Sequence, residues 1–289
     1  MIRISAFSDE ASTSLRGQIA AMLRNDISLT ELRSVDGKNV KDLTLEEAER
    51  IKAALDLVGI KVWSIGSPLG KVDITVDMDE YLHTVEHVCK LAQVLDCKRI
   101  RMFSFFGAYE QTEKVYDSLQ RMVDVANGYG VMLCHENEKD IYGDTLERVQ
   151  QIAQHVPGLK LVYDPANYLQ CGQHADQTIP ALHAKTDYFH VKDVVAATGE
   201  IVPAGHGDGH IEQIIAMIDP QADVVMTLEP HLRVFAGYAQ IDNSEMKNKY
   251  TFETNDQAFD AAANALKALL EQNGYVYEQG GYVKHASGT

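Results

Sequence analysis

Four short sequences in the second half of the chain carry the residues best suited to chemistry. They are Cys-His135-Glu136-Asn137, Tyr-Asp164-Pro-Ala-Asn167, Phe-His190-Val-Lys192-Asp193 and Leu-Glu229-Pro-His231. If the carboxylates of Glu136, Asp164 and Glu229 met without a counter-ion, they would repel and raise one another's pKa. A divalent cation resolves that conflict, and three carboxylates with one imidazole suit Mn²⁺, our first expectation, or Mg²⁺, with Co²⁺, Fe²⁺ or Zn²⁺ as alternatives. The sequence thus predicts a metal site at Glu136, Asp164, His190 and Glu229.

The rest of the sequence predicts the elements that position these residues. Short apolar runs rich in Ile, Val and Phe alternate with longer segments of helical period, and this alternation predicts a parallel sheet with crossover helices. The predicted strands lie near residues 2–7, 28–33, 60–65, 99–103, 131–134, 160–163, 188–191 and 224–228. The predicted helices lie near residues 14–24, 45–58, 80–95, 112–127, 145–155, 178–184, 210–217 and 257–272.

Eight successive strand–helix units predict an α/β fold with a single (β/α)8 TIM barrel over residues 1–273, because only closure removes both edges of such a sheet. An open doubly wound sheet is the competitor, but no Gly-x-Gly-x-x-Gly follows the first strand, which weakens its dinucleotide-binding version. For the tail, residues 274–289, we expect a partly ordered terminus; a short edge ribbon or a subunit contact are the alternatives.

A parallel barrel gathers its active site at the carboxyl ends of its strands. The four sequences end or lie on predicted strands five to eight, so their side chains are expected to converge at the barrel mouth. The ordinary alternative for each acid is that it caps the next helix or pairs with a neighbouring lysine. A barrel has no structural need for such acids on consecutive strands, so the set favours a functional site.

Composition excludes several classes of protein. The 289-residue chain has 26 Lys and Arg against 42 Asp and Glu, a formal net charge of −16, and so acidic a surface disfavours nucleic-acid or anionic-membrane binding. No apolar run approaches membrane-spanning length and the N-terminus is unlike a signal peptide, so we expect a cytoplasmic protein. The four cysteines show no CxxC pair and are expected to be reduced and structural.

At these motifs the chain resembles the xylose isomerase-like TIM-barrel family, which includes ketose 3-epimerases, hydroxypyruvate isomerase, inosose dehydratase and endonuclease IV. The resemblance covers nearly the whole chain and rests on Glu136-Asn137, Asp164-x-x-Asn167, His190-Val-Lys-Asp193 and Leu228-Glu229-Pro-His231. It implies that the four predicted ligands hold one metal ion. It also implies that Glu136 and Glu229 act from opposite faces of a bound ketose as an acid/base pair, with the metal stabilising an enediolate.

The resemblance leaves the reaction open within this family. Ketose 3-epimerases usually show His three residues after the strand-six Asp, where this chain has Asn167. The first expectation is an isomerase or epimerase of a keto sugar, sugar phosphate or sugar-derived acid, and the alternative is a lyase of the dehydratase or C-glycoside-eliminating type. Endonuclease IV-like DNA repair and a non-catalytic barrel are less favoured. The family further implies a small-molecule carbohydrate as partner and a homo-oligomer.

We predict substrate contacts at five further positions. Lys192 faces the same side of its strand as His190, with a structural ion pair as the alternative. Lys71 follows a Ser-Pro-Leu-Gly turn, and His206 lies in a Gly-rich loop after strand seven. The other two predicted contacts are Asn167 and Glu31. His135 is expected to be buried beside the site, and core packing is expected for Phe7, Trp63, Phe103 and Phe105.

Overall fold

Eight parallel strands pair in sequence order in the computed structural model, which describes residues 1–236, 238, 246–248 and 250–285. The strands are β1 (Ile2–Ala6), β2 (Leu29–Leu32), β3 (Lys61–Gly66), β4 (Arg99–Met102), β5 (Met132–Glu136), β6 (Lys160–Tyr163), β7 (Thr186–Val191) and β8 (Val224–Leu228). The sheet closes because β1 pairs in parallel with both β2 and β8, in a register that runs from Ile2 opposite Val224 to Ala6 opposite Leu228. The predicted (β/α)8 barrel is confirmed, and each predicted strand overlaps an observed one.

Helices follow the strands and cover the outside of the barrel. They are α1 (Leu15–Arg24), α2 (Leu45–Asp56), α3 (Met78–Val94), α4 (Thr112–Gly128), α5 (Leu146–His155), α6 (Pro165–Gln170), α7 (Ala175–Leu182), α8 (Ile211–Met217) and α9 (Asn255–Gln272). The α2 helix begins with a capping box, in which the Thr44 hydroxyl accepts from the Glu47 backbone N–H and the Glu47 carboxylate accepts from the Thr44 backbone N–H. The sequence pattern missed α6, because six residues are too few to show a helical period.

The outer core lies between the strands and the inward faces of the helices. In α3 the buried residues Val85, Val88, Leu91 and Ala92 recur at helical spacing, which places them on one face. Burying each such Val or Leu side chain contributes about 1.5–3 kcal/mol. None of the helices in the described ranges is long and apolar enough to cross a membrane.

The barrel interior changes from apolar to polar along the strand direction. Its apolar part consists of Leu29, Cys134, Val162, Tyr188 and Val225, with Trp63 packed against them. On β7 and just after it, Tyr188, His190 and Lys192 recur at a spacing of two, and all three are buried. Because alternate residues of a strand face the same side, this spacing carries polar groups up the interior to the carboxyl-terminal mouth.

The C-terminal segment forms a short ribbon at the edge of the barrel strand β1. Residues Val276–Glu278 and Gly281–Val283 form an antiparallel hairpin, and Tyr282 pairs with Ile2 of β1. Tyr275 and Tyr282 are both buried. The edge ribbon that we named as an alternative is the arrangement observed for residues 276–283, and the two buried tyrosines anchor it. Residues 286–289 of the predicted tail lie outside the described residues.

Candidate metal centre

The four predicted ligands come together at the carboxyl ends of β5 to β8. Glu136 is the last residue of β5, Asp164 follows β6, His190 lies in β7 and Glu229 follows β8. One nitrogen or oxygen atom from each residue lies within 4.8 Å of those of the other three. None of the four side chains belongs to a residue more than 3% exposed. The convergence expected from strand order is therefore present in the structure.

The oxygen atoms of this cluster fit a divalent cation. Glu136 Oε2, Asp164 Oδ2 and Glu229 Oε2 are buried and accept no hydrogen bond of good geometry in the described part of the chain, although each has a nitrogen of Arg101, Lys192 or His190 at 2.9–3.2 Å. Burying a carboxylate oxygen without a full set of partners costs free energy, which a bound cation would offset. Three carboxylate oxygens and one imidazole nitrogen are a donor set that Mn²⁺, Mg²⁺, Fe²⁺, Co²⁺ and Zn²⁺ all accept. The donor set fits a divalent ion without selecting its identity.

The local sequence around Asp164 orients its free oxygen. Asp164 is the N-cap of α6: Oδ1 accepts a hydrogen bond of 3.0 Å from the Asn167 backbone N–H, and Pro165 occupies the first turn. The Asn137 side chain accepts from the Asp164 N–H and donates to its carbonyl, both at 2.9 Å. With the backbone and Oδ1 held in this way, Oδ2 is left to face the cluster. The helix-cap role that was the ordinary alternative for this acid is therefore observed, and it is compatible with a ligand role for Oδ2.

His190 stands at the centre of the cluster between three carboxylates. Its Nδ1 lies 3.0 Å from Glu136 Oε1 and 3.2 Å from Glu229 Oε2, and its Nε2 lies 3.0 Å from Glu31 Oε2. Burial lowers the pKa of His190, but the charges of Glu136 and Glu31 outweigh it and raise that pKa well above its usual value. The carboxylates therefore favour positive charge at this point of the barrel.

Each carboxylate of the cluster also has a cationic neighbour. Lys192 Nζ lies 2.9 Å from Asp164 Oδ2 and 3.7 Å from Glu229 Oε2. Arg101 Nε lies 3.2 Å from Glu136 Oε2, and Arg33 Nη1 donates to Glu229 Oε1 at 3.2 Å. These cations offset part of the repulsion among the acids.

The pKa shifts show the balance between burial and these ion pairs. Burial raises the pKa of Asp164 to about 6, although Lys192 opposes the shift. Burial acts in the same direction on Glu229, but Lys192 and hydrogen bonds from His190 and His231 hold its pKa well below the usual range. Burial lowers the pKa of Lys192, yet Asp164 and Glu229 raise it well above the ordinary value. Buried charge is thus maintained only by charge of the opposite sign.

A second group of possible ligands adjoins the first through Glu229. Oxygen and nitrogen atoms of Glu10, Glu229 and His231 also lie within 4.8 Å of one another. Arg33 donates to Glu10 Oε1 at 3.2 Å and to both Asp9 oxygens at 2.9 and 3.0 Å. Because the Arg33 guanidinium already pairs with Glu10 and Glu229, we interpret this second group as an ion-paired wall of the site.

The residues predicted to contact substrate occupy different places. Lys192 and Asn167 contact the cluster, Asn167 by donating to Glu136 Oε1 at 3.2 Å. Lys71 Nζ lies 2.9 Å from Glu138 Oε2 and over the Phe103 ring, at the rim of the same mouth. Glu31 is fully buried beneath His190. His206 is exposed, with Nδ1 3.3 Å from the Tyr250 hydroxyl, and it is not among the residues of the cluster.

The sequence interpretation did not single out Arg101 or Glu10, and it named Asn137 only as part of a motif. Arg101 points into the barrel from β4, and Asn137 fixes Asp164. The sequence signal for Arg101 was its position between Ile100 and Met102 in Arg-Ile-Arg-Met. Successive residues of a strand face opposite sides, so Arg101 faces the side away from those two apolar residues. Of the aromatic residues, Phe7 lies under the Arg33 guanidinium at 4.3 Å and edge-on to His190 at 5.2 Å. His135 is buried as expected, with Nε2 2.9 Å from Ser104 Oγ, and burial lowers its pKa to about 3.

Comparison with known families decides the membership of the chain. The model of the xylose isomerase-like TIM barrel family matches residues 27–268. The chain belongs to this family. No curated protein sequence matches the chain.

Solved structures share the fold at low sequence identity. An L-ribulose 3-epimerase has a TM-score of 0.71 at 16% identity, over 94% of this chain and 96% of that one. The IOLI protein with a bound zinc atom has a TM-score of 0.70 at 15% identity, over 94% and 99%. The probable 3-DHS dehydratase AsbF of Bacillus anthracis has a TM-score of 0.68 at 15% identity, over 92% and 99%. At this identity the likeness establishes the fold alone.

Proposed function

We propose that the chain is a divalent-metal-dependent isomerase or epimerase of a keto sugar, a sugar phosphate or a sugar-derived acid. One observation carries the proposal: two buried glutamates flank one imidazole nitrogen, with a buried aspartate beside them, at the mouth of the barrel. Family membership supports it, as do the epimerase and the zinc-bound protein among the structural neighbours. Mn²⁺ is the metal that we favour for this donor set.

Glu136, Asp164, His190 and Glu229 would hold the ion. When bound, it would polarise the substrate carbonyl and so acidify the neighbouring C–H bond. Glu136 and Glu229 approach His190 Nδ1 from two different strands. One carboxylate would accept a proton from a substrate carbon, and the other, protonated from solvent, would deliver a different proton to the opposite face of that carbon. Arg101 beside Glu136 and Arg33 beside Glu229 orient the two carboxylates.

Polar side chains beside the cluster and at the rim of the mouth would bind the substrate. Lys192 and Asn167 offer donors next to the cluster, and Lys71 offers one across the mouth. None of the four ligands belongs to a residue more than 3% exposed, and a site shielded from water strengthens each of these electrostatic contacts. An uncharged polyol would be held by hydrogen bonds and an acid by the same cations.

Deuterium exchange tests the proposal. Protein loaded with Mn²⁺ is incubated in D₂O with a panel of ketoses, ketose phosphates and sugar acids, and products are analysed by mass spectrometry. We expect a product of unchanged composition that carries solvent deuterium on carbon, and we expect Glu136→Gln or Glu229→Gln to abolish it. A product lighter by one water would establish the lyase alternative. Turnover that persists in both variants or after chelation would overturn the metal-dependent mechanism.

A further inference from the structure

Glu31 lies at the bottom of the site with both carboxylate oxygens engaged. The residue is completely buried. Its Oε2 lies 3.0 Å from His190 Nε2, and its Oε1 accepts a hydrogen bond of 2.8 Å from the Tyr188 hydroxyl. The Tyr188 hydroxyl in turn lies 3.1 Å from Ser64 Oγ. Because both oxygens of Glu31 have partners within the protein, neither is left to contact a substrate at the barrel mouth.

The two nitrogens of His190 face different partners. Nδ1 points to Glu136 and Glu229, whereas Nε2 points to Glu31. A histidine that binds a metal presents the lone pair of one nitrogen and carries its proton on the other. Both nitrogens face carboxylates, which accept and do not donate, but only Nδ1 faces Glu136 and Glu229. When Nδ1 gives its lone pair to a metal ion, Glu31 would therefore hold the remaining proton on Nε2.

From these contacts we infer that Glu31 is a positioning residue that acts through His190 on metal affinity, and that it does not contact substrate. The inference rests on the proposed metal site and deepens it. Glu31 fixes the tautomer and the ring plane of His190, and its negative charge strengthens the donor nitrogen; such partners of a ligating histidine typically change metal affinity 10- to 100-fold. Arg101 Nε, 3.9 Å from Glu31 Oε1, offsets the charge that is buried here.

Glu31→Gln is the informative substitution because the amide keeps the shape of the side chain. The amide oxygen can still accept from His190 Nε2, and the Tyr188 hydroxyl can turn to donate to Ser64 while it accepts from the amide nitrogen. Glu138→Gln is the matched control, because it removes one carboxylate charge from the same mouth at a residue paired with Lys71. Tyr188→Phe is a second variant, which leaves the Glu31 charge and removes one of its hydrogen bonds.

Two measurements test the inference. The first is Mn²⁺ affinity, by competition with a fluorescent chelator, and the second is the thermal unfolding midpoint of each metal-free protein. We expect Glu31→Gln to weaken binding by roughly 10- to 100-fold, Tyr188→Phe to weaken it less, and Glu138→Gln to stay close to the wild type. At saturating Mn²⁺, KM for a substrate found in the panel should be unchanged in Glu31→Gln.

The possible outcomes separate this inference from the proposed function. Equal Mn²⁺ affinity in wild type, Glu31→Gln and Tyr188→Phe would overturn the inference and leave the function standing. A raised KM at saturating metal, with unchanged affinity, would make Glu31 a substrate contact. A lower thermal midpoint without any loss of affinity would show a purely structural role. A wild-type protein that binds no Mn²⁺ would overturn both proposals.

Discussion

The two oxygens of Asp164 have different surroundings, one in a helix cap and one in the proposed metal site. Oδ1 caps α6 through the Asn167 N–H, and Oδ2 is the buried oxygen that faces His190, Lys192 and the glutamates. A cap needs only an acceptor, and asparagine and aspartate are equally good at this position. A metal ligand needs the charged oxygen. The two roles can therefore be separated by choosing the substituent.

We predict different effects for two substitutions of Asp164. Asp164→Asn keeps the cap and removes the charge, so it should lose metal while α6 stays stable. Asp164→Ala also loses the cap and should have a free energy of unfolding lower than that of Asp164→Asn by about 1 kcal/mol. Urea denaturation of the metal-free proteins measures the difference. Equal stability of the two variants would show that the cap contributes nothing.

At the level of single residues, the sequence predicted which side chains meet and not what they do to one another. Glu136, Asp164, His190 and Glu229 were predictable because consecutive parallel strands end at one mouth. Glu31 was predicted as a substrate contact because alternation shows only that it faces inward. Its contact with His190 depends on the stagger between β2 and β7 across the barrel, which spacing along the chain does not contain.

A single carboxylate organises the Gly-rich loop after β7. Asp193 accepts hydrogen bonds from the backbone N–H groups of Val194, Gly205, Gly207 and Gly209 at 2.9, 2.9, 3.1 and 2.9 Å. A Cβ atom at Gly209 would lie 2.7 Å from Asp193 Oδ1, and one at Gly207 would overlap the same carboxylate. The glycines are there because the loop wraps closely around Asp193, next to Lys192 and the site.

We predict that Gly207→Ala loosens this loop. The added methyl group displaces the loop from Asp193 and should lower the free energy of unfolding by about 1–3 kcal/mol, as overpacking does in cores. The backbone amides of residues 203–210 should also exchange hydrogen faster in this variant than in the wild type. Gly128→Ala is the control, because Gly128 is the exposed last residue of α4 and a Cβ atom there meets nothing within 4 Å. Unchanged exchange in Gly207→Ala would contradict this description of the loop.

Elements were predictable in proportion to their length. The eight barrel strands and the longer helices were found because each contains several turns or alternations of a buried face. Helix α6 escaped notice, although its Asp-Pro start is a cap followed by proline in the first turn. The hairpin of residues 193–195 and 200–202 escaped as well, since three-residue strands carry too few alternations to be recognised.

On the scale of the whole molecule, the candidate site and the C-terminal hairpin lie at opposite ends of the barrel. The candidate site occupies the carboxyl ends of the strands, whereas the C-terminal hairpin joins β1 at Ile2, its first residue. The hairpin buries Tyr275 and Tyr282 at the end away from the site. Stability and metal binding should therefore respond independently to changes at the two ends.

Removal of the hairpin tests this separation. A chain that ends at Asn273 loses two buried tyrosines and should have a free energy of unfolding lower by about 3–6 kcal/mol, from the burial of two large side chains. Its metal stoichiometry should stay that of the full chain. A chain that ends at His285 is the length control and should match the wild type in urea denaturation. Loss of metal from the shorter chain while it remains folded would contradict the separation.

The central claim is that residues from four consecutive strands bind one divalent ion. Its most direct test is metal content by inductively coupled plasma mass spectrometry, on wild type and Glu229→Gln purified without chelator and then exposed to Mn²⁺. We predict about one ion per wild-type chain and a sharply reduced content in the variant, because binding needs the deprotonated carboxylate. Equal metal in both proteins, or none in either, would contradict the claim.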